Sequence, residues 1–221
     1  MWLPRVAEAV RAADRPVALI GGEAFGAPFV VESLRQHEPL AWLELDPWGD
    51  QVAHGNALAR AVNGELPAPL LSLALPYKSH LAALARYRTD LRPLRIAVTT
   101  TDLSLPIVGD LLDLHGNGYS VVLDVRGSLP PDAEVLSRCL VLDEGFLKVT
   151  LDEAIALAPG GLGQAAVERL WRTSEGRFTD LASAAYQAAG LPRLHVPSAG
   201  GPLLPESAPE LVDVRPAIYA Y

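Results

Sequence analysis

The sequence predicts an α/β fold, three layers built on a mostly parallel sheet, followed by a small helical subdomain and an extended C-terminal tail. Three observations predict it. Short apolar runs alternate with amphipathic stretches up to about Leu142, and only helical patterns follow. One stretch, Arg15 to Gln36 (RPVALIGGEAFGAPFVVESLRQ), sets a buried-strand pattern, a glycine loop and a helix in immediate succession. Apolar residues make up 50% of the 221, enough for a sizeable core in one large domain or in one domain with a small appendage.

In chain order, Leu3 to Ala13 reads as a helix with Pro4 near its first turn and Leu3, Val6, Ala7 and Val10 on one face. Pro16 ends it, and Val17 to Ile20 is a buried strand. After the glycine loop, Pro28 to Gln36 is helical, with Phe29, Val30 and Leu34 inward. Leu40 to Asp46 alternates between Pro39 and Pro47 and is the second strand. A helix over 52–62 ends near Gly64, and Tyr77 to Arg88 is another. Between them, Leu66 to Pro76 reads equally as a short strand or a packed helical turn.

Leu94 to Thr100 is the third strand, and Leu105 to Leu114 is a helix stopped by Gly116 and Gly118. Tyr119 to Val125 (YSVVLDV) is a strong strand. Ser128 to Asp132 is a proline turn, Ala133 to Ser137 a short helix, and Cys139 to Leu142 a short strand. Thr150-Leu151-Asp152-Glu153 is a capping box that opens a helix to Ala158. Gly160, Gly161 and Gly163 form a loop. Gln164 to Ser174 and Phe178 to Ala189 are the last helices, closed near Gly176 and Gly190. Prolines and small residues then dominate to Tyr221, the composition of an extended segment. The division is 1–147, 148–190 and 191–221.

Composition narrows the function. The net charge of −8 repels nucleic acid and anionic membranes. The densest basic group, Arg86, Arg88, Arg92 and Arg95, reads as a solvated helix face and a strand entry. Cys139 is the single cysteine, so an intrachain disulfide and a multi-cysteine metal site are excluded, and its apolar run makes it a buried thiol. His37, His54, His80, His115 and His195 lack metal-ligand spacing, and no serine sits in a nucleophile elbow. The N-terminus has no signal-peptide core, and no run reaches the length of a membrane helix, so a cytoplasmic location is expected.

The glycine loop is the candidate site. Gly21 to Gly26 has the spacing of the first half of a phosphate-binding loop, with Gly22 beside it. In such a loop backbone N–H groups and the helix N-terminus hold the phosphates, a lysine adds charge, and a Ser/Thr hydroxyl holds magnesium. Here Ala27 stands in the lysine position and Pro28 in the hydroxyl position, which also removes a backbone donor. Glu23 adds a repelling charge. Losing the lysine alone costs about 10- to 100-fold in affinity, the worth of one charge-assisted hydrogen bond. On the third strand, Thr99, Thr100 and Thr101 replace the acid that would bind magnesium. Asp102 follows late, where it caps a turn. Arg126, after the strong strand, is either a sensor that touches phosphate or an exposed arginine at a strand end. Asp46, Asp50, Asp110, Asp113 and Asp124 show no diagnostic pairing and read as strand ends, caps or solvent-facing groups.

The order of these motifs resembles a family. VALIGGEAFGAPFV resembles the glycine loop, LAWLELDPWGD the following strand, and YSVVLDVRGSLP the sensor strand of the STAND-class NTPase domain. LDEGFLKVTLDEAIAL and WRTSEGRFTDLASAA resemble the segment that leads into its helical subdomain. The likeness spans roughly 15–190 and is nearest to the ATP-binding domain of maltose-activator-like and large LuxR-type bacterial transcriptional regulators. It implies a P-loop-NTPase-like domain over 1–147, descended from an ATP-dependent switch. Since both phosphate-loop and acidic-strand residues are missing, the expectation is a non-catalytic regulatory or protein-interaction module. No metal or cofactor is expected, and neither direct nucleic-acid nor membrane binding. Its partner would be another protein or a second copy. The alternative is a sensor that binds ATP or ADP weakly through Gly21, Gly22, Gly26, Ala27 and Arg126, without hydrolysis.

Overall fold

The computed structural model describes residues 3–66, 69–87, 94–127, 132–159, 162–191 and 195–201. Its centre is a sheet of five strands: β1 (Val17–Ile20), β2 (Leu40–Glu44), β3 (Leu94–Thr100), β4 (Tyr119–Val125) and β5 (Leu140–Leu142). Every pairing is parallel, and the order is β2-β3-β4-β1-β5. Parallel strands are covered on both faces, so they read as continuous apolar runs rather than alternating ones.

The period of two sorts these runs into two cores. Val17, Leu19, Leu40, Trp42, Ala97, Val122 and Leu142 face one side. There they meet α1 (Pro4–Ala12), α2 (Ala27–Arg35) and α7 (Glu144–Leu147), together with α8 (Leu151–Leu157), α9 (Gln164–Ser174) and α10 (Phe178–Ala188). Ala18, Ala41, Leu43, Ile96, Val98, Val121 and Leu123 face the other. There they meet α3 (Gln51–Glu65), α4 (Tyr77–Arg86), α5 (Pro106–Leu112) and α6 (Ala133–Ser137). The result is helix, sheet, helix. The C-terminal helices α8–α10 share their apolar cluster with α1, α2 and the sheet.

Several ends differ from the sequence reading by a residue or two. β2 stops at Glu44 rather than Asp46, because Asp46 turns the chain: its carboxylate accepts from Trp48 N and its carbonyl from Gly49 N. α4 stops at Arg86, ahead of the expected Arg88, which lies outside the described residues. α7 was not anticipated; Asp143 caps it by accepting from Phe146 N. The leucine-rich stretch is neither strand nor helix over 69–76. Asn63 holds it instead, its amide donating to Leu71 O and accepting from Leu70 N and Leu71 N, while Leu71 is buried. The capping box forms as read, with Thr150 and Glu153 bonding each other's backbone.

The proline turn at 128–131 and Gly160 and Gly161 lie outside the described residues, as does most of the tail. Within the tail, 195–201 lies against the far end of α2, where Arg35 Nη1 donates to Gly201 O. No helix among the described residues is long and apolar enough to cross a membrane.

Candidate functional site

The connections fix where a site belongs. β1 leaves the sheet through the glycine loop into α2 on the first face. Its neighbour β4 leads toward α6 on the second face. Loops that part to opposite faces open a crevice at the carboxyl ends of adjacent parallel strands, and ligands of open α/β sheets bind there. The crevice lies between the glycine loop and Arg126. A Cβ added at Gly22 would stand 3.4 Å from Arg126 Cα and Cγ. Of the sequence candidates, Gly22 and Arg126 therefore meet at this end of the sheet, while Gly21, Gly26 and Ala27 follow in the same loop and helix start.

The loop itself is closed. Gly22–Phe25 winds into a short 3-10 helix, and Gly26 N donates to Glu23 O at 3.1 Å. That N–H is one a phosphate cradle would turn outward. Phe25 folds back and is buried: a Cβ at Gly21 would lie 2.8 Å from its ring. Gly26 has φ +80°, the left-handed region, and a Cβ there would stand 2.9 Å from the Phe178 ring. Phe178 packs on Phe29 with ring centroids 4.8 Å apart. Thr179 Oγ1, next in α10, donates to Glu23 O. The C-terminal helix thus clamps the loop from outside. Ala27 and Pro28, the lysine and hydroxyl positions of a phosphate loop, are both buried at the start of α2.

Beside the loop, an open cleft of about 360 Å³ runs across the ends of β2, β3 and β4. Glu44, Asp46, Thr99, Thr100, Thr101 and Arg126 line it. A buried polar network supports it from behind. Trp42 Nε1 donates to Thr99 Oγ1 at 2.9 Å, and Thr99 Oγ1 donates to Asp124 Oδ2 at 3.1 Å. Arg126 Nε donates to the same oxygen at 3.1 Å. Asp124 is 0% exposed, and its Oδ1 has no hydrogen-bond partner among the described atoms. Burial pushes the Asp124 carboxyl above the ordinary aspartate range, against the opposing pull of Arg126 and of the Thr99 hydroxyl.

Arg126 is not the exposed strand-end arginine of one sequence reading. The side chain is partly buried and ion-paired, and it lines the cleft. Asp102 caps a turn, its Oδ1 accepting from Ser104 N and Ser104 Oγ. Asp50 caps α3, Asp110 accepts from the Tyr77 hydroxyl, and Asp113 pairs with Arg138. Asp124 departs from the group. Rather than ending a strand in solvent it is buried, on the strand parity of Val122, and its partners Trp42 and Thr99 lie on other strands. No cluster of histidine, cysteine and carboxylate groups able to hold a metal exists among the described residues.

No protein-family model matches the sequence, and no curated protein matches it.

Proposed function

We propose that this chain is a non-catalytic regulatory or protein-interaction module built on a degenerate P-loop-type nucleotide-binding domain of the STAND class. One observation carries the reading. The loop that would hold phosphate is instead a structural joint: its Gly26 amide bonds Glu23 O, Phe25 fills the space over Gly21, and α10 covers it. Ala27 and Pro28 add neither charge nor hydroxyl and are turned into the core. The threonines that end β3 offer no carboxylate for magnesium, and Asp102 is engaged by Ser104. The reading assigns no cofactor and no reaction, places the protein in the cytoplasm, and leaves a protein or a second copy as partner.

A second reading, weak binding of ATP or ADP without hydrolysis, is favoured by one observation: Gly22 and Arg126 meet at the crevice between β1 and β4. Thermal unfolding with and without millimolar ATP or ADP separates the two. Binding at 100 times the dissociation constant adds about 2.7 kcal/mol of stability. An unmoved transition supports the module; a nucleotide-dependent rise, with or without magnesium, supports the sensor.

A further inference from the structure

The cleft over β2, β3 and β4 has a chemistry separate from that of the glycine loop. Arg126, its cationic lining residue, is already paired with Asp124 through Nε. Glu44 and Asp46 form no ion pair among the described residues, so with Arg126 matched by Asp124 the charges around the cleft sum negative. Behind Thr99, the buried Oδ1 of Asp124 still lacks a donor. A phosphate would meet repulsion here, and a cation attraction.

Next to the lining residue Pro47 stands Trp48, 92% exposed. It is held out by an ordered turn. Trp48 N donates to Asp46 Oδ1 at 2.9 Å, Gly49 N to Asp46 O at 2.9 Å, and His54 Nε2 to Asp46 O at 2.8 Å. A large aromatic presented by a fixed turn gives up little conformational freedom on binding, which is why such residues anchor protein interfaces. Its ring face attracts a guanidinium more than any other side-chain cation.

We infer that this cleft is a docking site for an arginine side chain of a protein partner, with Glu44 and Asp46 taking the guanidinium and Trp48 lying against it. Arginine fits better than lysine because its planar fork has donors for two carboxylates while one face stays free for the indole. The inference rests on the module reading and names the chemistry of its partner.

The test is a titration of the 15N-labelled full chain with the peptide acetyl-Gly-Arg-Gly-amide. The Trp48 indole N–H resonance is followed and assigned by its loss in Trp48→Phe. A saturable shift of that resonance is expected, together with the Glu44 and Asp46 amides. The citrulline peptide, equal in shape but uncharged, should bind at least several-fold more weakly. Glu44→Gln and Asp46→Asn should each weaken binding by about 1.5- to 5-fold, the range of an exposed ion pair. Asn retains the oxygen that holds the Trp48 turn. Added salt should weaken it further. Equal binding of the citrulline peptide, unchanged affinity in both carboxylate variants, or no saturable shift would overturn the proposal. The module reading survives those results; saturable ATP shifts at Gly21, Gly22 and Gly26 would overturn it instead.

Discussion

Replacing Gly26 with alanine tests whether the glycine loop is a joint or a cradle. Two costs add. A non-glycine residue at φ +80° sits in the left-handed region, which costs about 1–2 kcal/mol. The new Cβ would also stand 2.9 Å from Cγ and Cδ1 of Phe178, closer than real Cβ contacts come, and overpacking of this kind costs about 1–3 kcal/mol. Gly26→Ala should therefore lose roughly 2–5 kcal/mol of stability, with no nucleotide present. A double-mutant cycle separates the two costs. Phe178→Ala alone should lose about 3–5 kcal/mol, being a buried ring packed at a tilt against Phe29. In that background the ring contact is gone and the backbone strain remains, so Gly26→Ala should cost about 1–3 kcal/mol less than in the wild type, leaving about 1–2 kcal/mol. The assay is urea unfolding followed by circular dichroism, with stability obtained by linear extrapolation. Strict additivity would refute the reasoning, because it would mean that α10 does not bear on the loop.

Three further outcomes follow from the same structure. The folded-state pKa of Asp124 is raised, so the folded protein holds this proton to higher pH than the unfolded chain does; stability from this group falls as pH rises above the ordinary aspartate range. Asp124→Asn removes that slope, so its stability relative to wild type should improve as pH rises, as urea unfolding at several pH values would show; a constant difference contradicts it. Thr150→Ala removes the hydroxyl that accepts from Glu153 N, one of the two bonds of the capping box at α8, and should cost about 0.5–2 kcal/mol by the same unfolding assay. The Cys139 thiol is buried, and burial raises its pKa, so it should react with a thiol reagent only as fast as the chain opens, which stopped labelling in native buffer and full labelling in urea would demonstrate.

The layers were legible because their signals are local. Short apolar runs marked the strands, and Asp50, Thr150 and the glycines placed helix ends within a residue or two. The parallel order of the sheet was foreseen only as a class. Which strands adjoin depends on contacts between segments far apart in sequence. The site divided along the same line. That Ala27 and Pro28 supply neither the charge nor the hydroxyl of a phosphate-binding loop was legible from their positions alone. The α10 clamp did not show, since it depends on Phe178 and Thr179, more than a hundred residues later in the chain. The Trp42–Thr99–Asp124–Arg126 network was equally silent, because its members come from three adjacent strands whose register only the folded sheet fixes.

The backbone amides of the loop report most directly on whether it accepts phosphate. With 15N-labelled protein, the Gly21, Gly22 and Gly26 resonances are followed while ATP with magnesium is added to millimolar concentration. Unmoved glycine amides are expected, since the Gly26 N–H is spent on Glu23 O and α10 closes the loop. Saturable shifts at these glycines would contradict a closed joint and make the chain a nucleotide sensor.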